Sequence, residues 1–145
     1  MPERLMALAL ALLLLGCTAG APLRTPSREV GDVLAAMALR GLTVEEQVAG
    51  DAGCEAPELH RNAVRLRVSP ADDEAGYTVY LFGWRRLSFF DDAAPAFGAC
   101  MEEHSRRTGE PVESVEAMPW RAYGPGWTDA VRAAVEGALR AAGEG

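Results

Sequence analysis

The chain has 145 residues, of which 49% are hydrophobic, 24% charged and 7% aromatic, a composition that suits a folded domain and excludes a disordered or collagen-like chain. Its formal charge is −7, and the 14 basic residues are all Arg. So acidic a balance disfavours a phosphate backbone as partner, and no nucleic acid is expected.

The first segment is a leader. Arg4 provides a basic start, and an uninterrupted apolar run, LMALALALLLL, follows over residues 5–15. Eleven apolar residues fall short of the roughly 20 that span a bilayer, but they match the h-region of a signal peptide. Leu14-Leu15-Gly16-Cys17 comes next, and this resembles the lipobox of bacterial lipoprotein signal peptides. The resemblance covers residues 1–17 only. It implies removal of residues 1–16 and attachment of lipid, with palmitate among its acyl chains, to Cys17. Secretion with cleavage near Ala19 or Ala21, and an uncleaved anchor, are the alternatives. Two or three acyl chains hold a protein stably to a membrane where one does not. Residues 18–25, TAGAPLRT, read as a tether of at most about 28 Å. The expected location is therefore outside the cytoplasm, on the cell membrane or, in a Gram-negative host, on the outer membrane, for which Thr18 is compatible.

Assigning Cys17 to lipid leaves Cys54 and Cys100 as an even pair in an oxidising compartment. A bridge between them is expected to stabilise the fold by about 3–4 kcal/mol. The alternative is a metal site for zinc or copper from Cys54, His60, Cys100 and His104, with one Cys and one His from each of two segments.

Residues 26–145 are expected to form one α+β domain. Thr25-Pro26 suits a helix start, with Val30, Val33, Leu34 and Met37 on one face and Gly41 as its stop. A strand over 42–48 is blurred by Glu45 and Glu46, and 49–61 reads as a loop pinned at Cys54. Val64, Leu66 and Val68 alternate with Arg65 and Arg67 as a half-buried strand. A polar connection over 70–76 leads to a central strand over 77–84. Asp91 or Asp92 is expected to cap a helix reaching Thr108, with Phe97, Cys100, Met101 and His104 inside and Gly109 after it. A strand over 112–118, a loop over 119–127 and a helix over 128–142 complete the order α-β-β-β-α-β-α. This pattern predicts a two-layer sandwich: a mixed, mainly antiparallel sheet of three or four strands with helices on one face.

Two surfaces are candidate binding sites. If Val79 and Leu81 face the helices, then Tyr80, Phe82 and Trp84 face outward beside Arg65 and Arg67, a cation–π surface for a protein or glycan of the envelope. The loop PWRAYGPGW brings Trp120, Tyr123 and Trp127 together with Arg121. The competing reading of the first surface is that the paired rings and Arg side chains shield the open face of the sheet. The competing reading of the second is a strand-to-helix turn whose Gly124 and Gly126 supply unusual backbone angles and whose Trp side chains cover the core edge. The sequence contains no G-x-S-x-G, H-E-x-x-H, phosphate-binding Gly loop or C-x-x-C. A non-catalytic binding or structural module without cofactor is therefore expected, with a divergent hydrolase as the remaining alternative.

Overall fold

The computed structural model describes residues 29–144. The leader, the lipobox and the tether lie outside the described residues.

Helix α1 (Val30–Ala38) opens on a reciprocal cap, in which Glu29 N donates to the Asp32 carboxylate, and buries Val33, Ala36 and Met37. Gly41, at φ +78°, turns the chain into β1 (Leu42–Ala49). Between Val44 and Glu46 the pairing of β1 slips by a residue, a bulge that explains why Glu45 and Glu46 broke the alternation. A short helix α2 (Pro57–His60) lies in the segment expected to be all loop. Strand β2 (Ala63–Pro70) follows as the alternation required, and then β3 (Tyr77–Gly83).

Two helices follow β3. Helix α3 (Leu87–Asp92) ends where a cap was expected, and α4 (Ala94–Thr108) begins after Ala93 with Pro95 in its first turn. Asp91 and Asp92 thus close one helix instead of capping the next. Gly109, at φ +74°, stops α4 as its position suggested. Strand β4 (Val112–Ala117) turns through Met118 and Pro119, whose joining peptide is cis, into β5 (Trp120–Pro125). Helix α5 (Asp129–Glu144) ends the fold, with Thr128 Oγ1 accepting a hydrogen bond from Val131 N at 3.2 Å.

The sheet order is β1-β2-β3-β5-β4, and every neighbouring pair is antiparallel. Residues 119–127 were expected to form a loop, but most of them form the fifth strand. It lies between β3 and β4, so the crossover through α3 and α4 joins two strands that run in the same direction without touching. The expected mixed sheet of three or four strands is instead a five-stranded antiparallel one.

Helices also cover both faces, so the two-layer expectation is corrected to three layers. On one face α1 and α5 pack on Leu66, Val68, Val79, Leu81, Trp120 and Ala122. On the other, Leu59 of α2, Phe90 of α3 and Phe97 and Cys100 of α4 pack on Tyr80, Phe82 and Tyr123. Period-two geometry did send Tyr80 and Phe82 to the face opposite Val79 and Leu81, but α4 lies over that face. No helix among the described residues is long and apolar enough to cross a membrane.

Candidate functional site

The covered face is organised around a disulfide. Cys54, in the loop after β1, and Cys100, on α4, are bonded with their Cα atoms 5.4 Å apart. The loop is held further by Gly53 O, which accepts hydrogen bonds from His104 Nδ1 at 2.9 Å and from an Arg107 Nη at 2.8 Å. Tyr123 Oη donates to Ala52 O at 2.7 Å. Gly53 has φ +72°, and a side chain there would run into the ring of Tyr80 and the hydroxyl of Tyr123. Tyr80 and Tyr123 stack at 4.9 Å, and His104 meets both edge-on. Burial raises the pKa of both phenols, so they stay protonated and neutral under ordinary conditions.

In this arrangement the four residues of the metal alternative are engaged otherwise. The sulfurs of Cys54 and Cys100 are bonded to one another and offer no thiolate. His104 Nδ1 is engaged by Gly53 O, and His60 Nε2 lies 3.1 Å from Cys54 O. The four residues are brought near each other by the fold, as a staple and its props.

The predicted docking rings are not on the surface. Tyr80, Phe82 and Trp84 are at most 8% exposed, and Trp120, Tyr123 and Trp127 at most 7%. All six rings lie in the core, and Tyr80, Phe82 and Trp84 shield no open face because α4 packs on that side of the sheet. Arg65 is tied to Asp51 at 2.8 Å and Glu46 at 2.9 Å, and Arg67 reaches Glu45 at 3.4 Å. Those ion pairs clothe the edge strand β1. The cation inside the aromatic cluster is Arg121, which is 3% exposed. Its guanidinium sits 3.7 Å from the ring centroid of Phe90 and 5.4 Å from that of Trp84. Its Nε donates to Glu116 at 2.7 Å and Nη1 to Phe90 O. On the opposite face Trp127 Nε1 donates to Thr78 O at 2.9 Å, whereas the buried Trp120 Nε1 has no partner among the described residues.

Two neighbouring clefts lie elsewhere, at the end of the sheet where β3 runs into α3. Trp84, Phe89 and Asn62 separate them. One, of about 580 Å³, is bordered by Glu29, Val30, Arg61, Arg85 and Trp120. The other, of about 710 Å³, is bordered by Glu58, Leu59, Asp92 and Pro95. Phe89 is 53% exposed and Leu87 51%, and the Arg86 guanidinium lies 5.7 Å from the Phe89 ring. Met118 of the β4–β5 turn, 54% exposed, belongs to the same end, because Trp84 N donates to Pro119 O. Sequence reading singled out Trp84 and Trp120 from this surface, each as part of a different candidate site. The signal available for the rest was WRRLSFF, in which two Arg precede apolar residues too close together for either period to place them all inside.

No family model, curated protein or solved structure matches the chain.

Proposed function

We propose that the chain is a lipid-anchored lipoprotein of the cell envelope whose disulfide-stapled α+β domain is a non-catalytic binding module, with the clefts at the sheet end as its site. The leader, the apolar run of eleven and the lipobox support anchoring at Cys17. The single observation that carries the reading is the Cys54–Cys100 bridge, buried beneath the sheet, since such bonds persist in oxidising compartments. The site is preferred because exposed apolar side chains, concavity and Arg side chains coincide there and the predicted ring surfaces are buried. The partner classes this leaves are the membrane, an envelope protein and a glycan.

The test is fractionation of the host cell combined with external protease on intact cells and spheroplasts. The protein is expected in the membrane fraction, released by detergent but not by salt, and cut by protease added outside the cytoplasmic membrane. A protein recovered in the cytosolic supernatant and shielded from that protease would overturn the reading.

A further inference from the structure

We propose that the sheet-end surface around α3 is a membrane-docking face, which rests Leu87, Phe89 and Met118 on the bilayer and places Arg61 and Arg86 among anionic lipid headgroups. The inference rests on the lipid-anchor reading above and names the partner of that same site.

The first argument is where the chain enters the domain. Glu29 and Val30, the first described residues, border the same cleft as Arg61 and Arg85. Eleven residues separate Cys17 from Glu29 and extend to at most about 40 Å, so the anchored chain arrives at this end of the sheet. A lipid on Cys17 thereby keeps this surface at high effective concentration beside the headgroups, and even a weak patch is occupied.

The second argument is chemistry. Among the described residues, three of the four exposed large apolar side chains, Leu87, Phe89 and Met118, gather at this end. The fourth, Leu39, follows the far end of α1. Arg61 and Arg86 border the apolar group, whereas Arg65, Arg67, Arg121, Arg132 and Arg140 are held by carboxylates. Arg24 and Arg28 precede Glu29 in the sequence. Basic side chains around exposed apolar ones are what the headgroup and acyl boundary accommodates. Glu58 and Asp92 border the second cleft and Glu29 the first, so the headgroup contact is assigned to Arg61 and Arg86 and not to the cleft floors.

The test reconstitutes the full chain, purified from its host membrane, into phosphatidylcholine vesicles with and without phosphatidylglycerol, and follows amide hydrogen exchange by mass spectrometry. Exchange over residues 84–90 is expected to slow severalfold when phosphatidylglycerol is present, with residues 38–41 unchanged. The slowing is expected to vanish in the double variant Arg86→Glu, Phe89→Ser, whose substitutions are at exposed positions and whose melting temperature verifies folding. Equal exchange over 84–90 in both vesicles would overturn the proposal. So would protection that arises only when envelope proteins are added, which would assign the surface to a protein partner. The Cys17 peptide of the same digest keeps the two readings apart. Absence of acyl chains there breaks the anchor, whereas an acylated chain with unprotected 84–90 breaks only the docking face.

Discussion

Tyr123 is a phenol held where water does not reach, under α4 and against the disulfide. Its hydroxyl satisfies the carbonyl of Ala52, and burial, more than any neighbouring charge, lifts its pKa above the ordinary value of 10. The folded state therefore retains a proton that the unfolded chain gives up near pH 10. The stabilisation is present in full below pH 10 and is lost as the pH climbs above it. Tyr123→Phe is expected to lower stability at neutral pH by about 1–2 kcal/mol, because the Ala52 carbonyl stays buried without its donor. Above pH 10 the variant is expected to lose stability less steeply than the parent. Urea unfolding midpoints across that range measure both effects, and parallel curves would count against a buried phenol. Arg121 carries the opposite lesson about legibility. Nothing in WRAYGPGW distinguishes a charged residue on a loop from one threaded between Phe90 and Glu116, because its partners are 31 and 5 residues away.

Elements with a clean period were readable. Strand β2 and helices α1, α4 and α5 lie where alternation or a 3.6-residue repeat placed them, and β3 where an apolar run marked a central strand, within a few residues at their ends. Strand β5 was hidden because Pro119, Gly124, Pro125 and Gly126 look like turn chemistry. Each has a different cause. Pro119 sits in the tight turn from β4, and Pro125 and Gly126 end the strand. Gly124 is inside the strand because Trp127 crosses it to reach Thr78 O, leaving no room for a side chain. Gly124→Ala is accordingly expected to destabilise by about 1–3 kcal/mol, the usual cost of overpacking. Thermal melting would show it, and an unchanged melting temperature would contradict the close crossing. Helix α3 escaped for the opposite reason: LSFF leaves Leu87 and Phe89 outside and buries Phe90, which no amphipathic template rewards.

At the level of the whole molecule, composition revealed the class but not the number of layers. A two-layer fold needs one covered sheet face, and the apolar residues of β3 on both its faces signalled that two would be covered. Counting predicted helices could not assign α4 to the second face, since that depends on the bridge from Cys100 to Cys54. The pairing itself was legible from cysteine arithmetic, because reserving Cys17 for the proposed lipid leaves a single pair. The bridge spans 46 residues, for which loop entropy gives about 4 kcal/mol. With total stabilities of about 5–15 kcal/mol, the double variant Cys54→Ala, Cys100→Ala is expected to lose between about a quarter and four-fifths of the margin of a typical domain. Its urea midpoint should fall accordingly, and a midpoint within error of the parent would show that the staple is dispensable.

The anchor, the export and the staple converge on the chemical state of three sulfurs, which one intact-mass measurement reads. Protein taken directly from its host is treated with an alkylating reagent without reductant and weighed. The account predicts a chain that begins at Cys17, carries the mass of its acyl chains and has no alkyl group on Cys54 or Cys100. A chain that retains residues 1–16 and bears an alkyl group on all three cysteines would contradict it.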